Sequence, residues 1–215
     1  VQGTAIGFQA GENTQGSGAL AIGTVAGRTS QQPNATAIGA SAGATSQQTN
    51  AIAIGASAGT DRQGSQAVAI GFESGRVQQA ARALSIGNRA GEVGQGADST
   101  ALGLFAGQTS QGPLAAAIGP NAGSVSQGDE AMALGSNAGT NNQQTQAIAL
   151  GSNAGTISQY TQAVAIGVQA GELHQNAQAI AIGFQAGQTS QLVAALAVGY
   201  RAGQTNQNTQ SMAIG

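Results

Sequence analysis

Glycine recurs every sixteen residues along the whole chain: Gly7, Gly23, Gly39, Gly55, Gly71, Gly87, Gly103, Gly119, Gly135, Gly151, Gly167, Gly183, Gly199 and Gly215. Four residues after each of the first thirteen stands a second glycine, from Gly11 to Gly203, and four residues further stands glutamine without exception. The consensus is A-φ-A-I-G-x-x-A-G-x-x-x-Q-x-x-x, with no insertion or deletion. A fixed period of this length is the signature of a repeat architecture in which each repeat is one coil stacked on the next. The chain is therefore expected to be all-β: a parallel β-solenoid, or β-roll, of about thirteen coils. Residues 1–215 are read as a single solenoid domain, a piece of a longer fibrous protein.

Within A-φ-A-I the apolar residues alternate with alanine, a period of two that argues strand. Glycine then ends the strand where the chain turns. The second glycine marks a second corner, and the segment ending in glutamine is a second short strand. Its column two residues before glutamine is rich in β-formers such as Thr29, Val77, Val93, Thr109, Val125 and Ile157. A helix would carry two glycines and several β-branched residues per repeat, at a cost of several kcal/mol. Coils stacked about 4.8 Å apart would make a rod about 60 Å long.

The bulky columns, Ile52, Val68, Leu84, Ile148, Val164, Ile180 and Leu196 with Ile54, Ile70, Ile86, Leu150, Ile166, Ile182 and Val198, are expected to fill the interior of the coil. On that reading the alanines between them, Ala21, Ala37, Ala53, Ala69, Ala101, Ala117, Ala133, Ala149, Ala165, Ala181 and Ala197, face outward as a flat strip. A strip of small apolar side chains is best explained by packing against another chain, most simply as a side-by-side homotrimer. The glutamines are Gln15, Gln31, Gln47, Gln63, Gln79, Gln95, Gln111, Gln127, Gln143, Gln159, Gln175, Gln191 and Gln207. Stacked carboxamides could bind a row of ligands, but a buried structural ladder pairs each amide with its neighbours and is the stronger reading. Stacking at sixteen also pairs Glu12 with Arg28, Glu73 with Arg89, Arg76 with Glu92, Arg82 with Asp98, and Phe184 with Tyr200.

Composition narrows the function. Charged residues are 7% of the chain, where a typical globular protein carries about 25%. The net charge is −2, and six scattered arginines make no stripe for nucleic acid. Absence of cysteine removes disulfides and thiolate metal sites. No apolar run reaches the roughly 18 residues of a membrane span, and any targeting segment is expected outside this piece. No catalytic, cofactor or metal site is expected. His174 is alone, in a variable column with Ser158 and Ser190, and Asp129–Glu130 has no acid one coil away to complete a pair.

The segments Ala67–Gly71, Ala163–Gly167 and Ala179–Gly187 resemble the S-V-A-I-G head repeats of trimeric autotransporter adhesins. They are more similar still to the A-I-G-x-x-A-G-x-x-x-Q repeats of phage and large-virus fibre-like proteins. The resemblance implies a left-handed β-roll, three chains side by side, and a role as a surface adhesin or fibre. The longer period and invariant glutamine depart from the adhesin pattern. The expected function is structural, not enzymatic: a rigid spacer or adhesive head of an extracellular, cell-surface or virion-surface fibre. Its partners would be copies of itself and a host-surface receptor or glycan, with no nucleic acid and no membrane insertion in this segment. A self-assembling filament stacked end to end is the alternative. Ice binding is weaker, because only Thr29, Thr45, Thr109, Thr189 and Thr205 occupy the best column.

Overall fold

The computed structural model describes residues 2–215 as an all-β parallel β-solenoid of about 13 coils, with sixteen residues per turn and no helix among the described residues. Residue contacts separate two compact units, Val1–Thr109 and Ser110–Gly215. Each coil contributes two three-residue strands, here called the alanine strand and the glutamine strand. In the first unit the described alanine strands run from Thr4–Ile6 to Thr100–Leu102, and in the second from Ala116–Ile118 to Met212–Ile214. Every alanine strand pairs in parallel with its equivalent sixteen residues away, as in Ala37↔Ala53 of the first unit and Ala149↔Ala165 of the second.

The coil from Ala147 to Gln162 shows how the backbone is satisfied. Ile148 N–H donates to Ala163 O one coil on, and Gly151 N–H donates back to Leu134 O. At the far side Gly155 N–H reaches Ala170 O and Ile157 N–H reaches Glu172 O. Buried backbone polar groups must be paired, and here the adjacent coils pair most of them.

Which face is inside is the reverse of the sequence expectation. Ala21, Ala37, Ala53, Ala69, Ala101, Ala117, Ala133, Ala149, Ala165, Ala181 and Ala197 are fully buried within their own chain. They cannot form the interchain strip proposed for them. In the first unit Ala21, Ala37, Ala53 and Ala69 form one core cluster with Ala26, Ala42 and Ala58 from the first corner. The bulky residues on either side of each alanine point outward: Ile148 and Leu150 are half-buried, Ile54 and Ile182 exposed. The cause is space. One coil holds only Ala147, Ala149, Ala154 and the whole Gln159 side chain, and a branched residue would displace the carboxamide.

The glutamine strand is kinked, which a period-two reading does not anticipate. Its central residue lies in the left-handed region, as at Ser158 (φ 53°). Ile157 and Gln159 therefore face opposite ways, Ile157 exposed and Gln159 buried. Only the first and third residues pair with the next coil, as Ile157↔Leu173 and Gln159↔Gln175.

The glycine columns follow from close approach. At Gly151 (φ 129°) a Cβ would sit 2.6 Å from Gly167 O. At Gly155 it would sit 2.7 Å from Gln159 Oε1, so the second glycine makes room for the ladder. Between the two glycines of each turn lies another left-handed position, and it carries no glycine at all. It holds Asn121, Asn137 and Asn153, which tolerate it, but also Val25 at φ 65°. A β-branched residue in that region is strained. Val25→Asn is expected to raise stability by about 1 kcal/mol, the cost of left-handed backbone in an ordinary L-residue, read as the midpoint shift in urea unfolding.

Three of the four expected vertical ion pairs form. Arg76 Nη2 lies 2.9 Å from Glu92 Oε1, Arg82 Nε 2.5 Å from Asp98 Oδ1, and Arg89 Nε 2.7 Å from Glu73 Oε2. The hydrogen bond from Arg82 holds the Asp98 carboxyl below its ordinary pKa. Glu12 and Arg28 form no ion pair among the described residues; Glu12 accepts from Gln9 Nε2 at 3.5 Å instead. Phe184 and Tyr200 stack with centroids 5.4 Å apart and planes 11° from parallel.

Candidate functional site

The glutamine column is the most ordered polar feature of each unit. Gln159 Nε2 donates to Gln175 Oε1 (3.1 Å), to Ile148 O (2.6 Å) and to Ala163 O (3.1 Å), while its Oε1 accepts from Gln143 Nε2 (3.1 Å). The same pattern joins Gln15, Gln31, Gln47, Gln63, Gln79 and Gln95 in the first unit. In the second it joins Gln111, Gln127, Gln143, Gln159, Gln175, Gln191 and Gln207. Each carboxamide thus ties the two strands of its own coil and the coil beyond. From Gln31 to Gln191 the side chains are almost wholly buried, which leaves them no access to a ligand.

Two interior positions break the alanine rule together. Ser74 Oγ donates to Ser85 O at 2.9 Å, and Ser85 Oγ accepts from Gln79 Nε2 at 3.2 Å and donates to Gln95 Oε1 at 2.5 Å. A hydroxyl placed beside the ladder is absorbed into it, so a buried polar atom is left with partners.

Outside, further amides stack in the opposite sense. Gln178 donates to Gln162, Gln162 to Gln146, and Gln146 to Glu130 Oε2 at 3.0 Å. Gln204 donates to Gln188, which donates to Glu172 Oε2 at 2.7 Å. A carboxylate, which only accepts, closes each row. The sixteen-residue spacing of Glu130, Gln146, Gln162 and Gln178 made this row legible in the sequence, and it was missed there. His174 is exposed at the kink of the strand Leu173–Gln175. Asp129 and Glu130 are also exposed. The structure brings neither His174 nor this acidic pair into a group with other titratable side chains, and no cluster of three or more His, Cys, Asp or Glu exists among the described residues.

The outward column that follows the alanine column is Ile, Leu or Val at all fourteen positions, from Ile6 to Ile214. None of its members is buried. It is a continuous apolar row on the alanine-strand face of each unit. No protein-family model, curated protein or solved structure matches the chain.

Proposed function

We propose that this chain is the structural shaft of a fibre, in which copies lie side by side and bury the outward Ile/Leu/Val column against one another. The observation that carries the reading is that column: strictly apolar, yet outside a core already filled by alanine and glutamine. Single exposed apolar residues are ordinary, whereas a contiguous apolar face marks an interaction surface. A second copy is the occupant that fits, because it presents an identical row with the same rise per coil. Three left-handed copies about a common axis, as the resemblance implies, would close the face completely. The alanines take no part in this contact; they support the strand from within.

Light scattering on the purified chain tests it. A trimer mass is expected for the wild type, and Ile166→Asp with Ile182→Asp should yield a monomer, since each aspartate would bring an unpaired charge into an apolar contact. Both positions face outward, so the variant should keep its strand circular dichroism. A monomeric wild type, or an assembly indifferent to the double change, overturns the reading.

A further inference from the structure

Each glutamine strand is followed by a corner, and in the second unit two shallow hollows lie along it. A groove of about 290 Å³ is lined there by Ser110, Ser126 and Asn142 on the strand side and by Gln144, Thr145 and Thr161 on the turn side. The corner residue Gly128 lets the next coil approach closely, since a Cβ there would sit 2.5 Å from Thr145 N. Further along the same corner a second hollow of about 240 Å³ is lined by Ser190, Leu192, Asn206 and Asn208. Between them the corner position is held by Tyr160, 37% exposed.

The chemistry of the groove is specific in what it offers and what it refuses. Thr161 Oγ1 donates to Gln144 Oε1 at 3.1 Å and so orients that carboxamide. The carboxylate of Asp129 reaches over the corner at Gly112, its Oδ1 2.6 Å from where a Cβ would stand. Hydroxyls and amides line the groove at the coil rise of about 4.8 Å, while Leu192 adds an apolar side chain to the second hollow. Residues 110–200 contain no Lys or Arg, while Asp129, Glu130 and Glu172 are acidic. A polyanion would meet like charge and no cation. What suits the surface is an extended, uncharged molecule rich in hydroxyls. An exposed tyrosine ring can cover the apolar face of a sugar ring, and placed polar groups fix its orientation.

We propose that this corner of the second unit binds a neutral linear polysaccharide lying along the coil stack. The proposal extends the fibre reading by giving the shaft a ligand, and it does not require side-by-side assembly. The probes are neutral hexasaccharides of glucose, galactose, mannose and N-acetylglucosamine, with a sulfated hexasaccharide for contrast, titrated into the full chain and followed by amide chemical shifts. At least one neutral probe should bind, with little sensitivity to salt. Ser126→Arg should fill the groove, and Tyr160→Ala should remove the ring. Each should weaken binding about tenfold, the equivalent of about 1.4 kcal/mol. The first unit carries Arg62 and Gln78 at the same left-handed position as Ser126, so the Arg variant should fold, and its melting temperature checks that. The proposal is overturned if no neutral probe shifts any resonance at millimolar concentration, if only the sulfated probe binds, or if folded Ser126→Arg binds as well as wild type. Light scattering on the same samples separates the two readings: a monomer that binds sinks the fibre alone, and a trimer that does not bind sinks the groove alone.

Discussion

Replacing Ala149 by leucine is expected to destabilise the chain by about 3 kcal/mol, while replacing its neighbour Leu150 by alanine should cost the isolated chain less than about 1 kcal/mol. Ala149 is wholly enclosed, with the Gln159 carboxamide and the Gly155 corner beside it. Added methylenes there have nowhere to go, and overpacking a filled core costs about 1–3 kcal/mol even before a hydrogen-bonded side chain is displaced. Leu150 faces outward and is half-buried, so its truncation removes only part of the transfer free energy of a leucine side chain. The order is the reverse of that in an ordinary core, where deleting a buried leucine costs about 2–5 kcal/mol. Urea unfolding of both variants under monomeric conditions measures it. A tolerant Ala149→Leu together with a costly Leu150→Ala would show that the faces have been assigned the wrong way round.

The second large effect is expected at Gln143. Its side chain accepts from Gln127 Nε2 and donates to Met132 O, Ala147 O and Gln159 Oε1. Gln143→Leu keeps much of the volume and removes every one of these bonds. The Gln159 carbonyl is left without its buried donor, while the Gln127 amide keeps Ala116 O and Ala131 O. An unpaired buried acceptor costs about 1–3 kcal/mol, so a loss of about 2–3 kcal/mol is expected. Gln143→Glu has nearly the same shape and adds a pH signature. An ionised carboxylate there faces the Met132, Ala147 and Gln159 oxygens and donates to none. Its pKa in the folded chain is therefore raised above the unfolded value. The folded state then binds more protons than the unfolded state between those two values, so stability falls as pH rises through that window and returns on acidification. Thermal melts at a series of pH values read this directly, and a Gln143→Glu profile parallel to that of the wild type would remove the ladder from the account of stability.

Much of this architecture was legible in the residues. The sixteen-residue glycine period carried the coil, the strand pairing register and the vertical partners of Arg76, Arg82 and Arg89. The invariant glutamine spaced four residues from glycine carried the ladder. What misled was the habit of placing large apolar residues inside. Alternation in Ile148-Ala149-Leu150 says that alanine and its neighbours face opposite ways; it does not say which way is in. The answer depends on the width of the coil, and the width is set by Gln159 lying across it. A clue was present, since a long invariant polar side chain and a branched aliphatic column compete for one narrow interior. The kink at Ser158 was hidden for a different reason. Serine, arginine, histidine and asparagine all occupy that position, and nothing in their types announces a left-handed backbone.

The paired alanines and glutamines also bear on how the chain finds its register. Rungs that are all alike carry no address: sliding one segment past another by a single coil restores the same amide bonds and the same alanine contacts. Only the features that do not repeat can tell one coil from the next. In the first unit these are the Ser74–Ser85 insert and the Arg82–Asp98 and Arg76–Glu92 pairs, each of which forms at one offset and no other. In the second unit the Phe184–Tyr200 stack and the two amide rows that end on Glu130 and Glu172 serve the same purpose. The scattered irregularities of an otherwise monotonous sequence thus act as its page numbers.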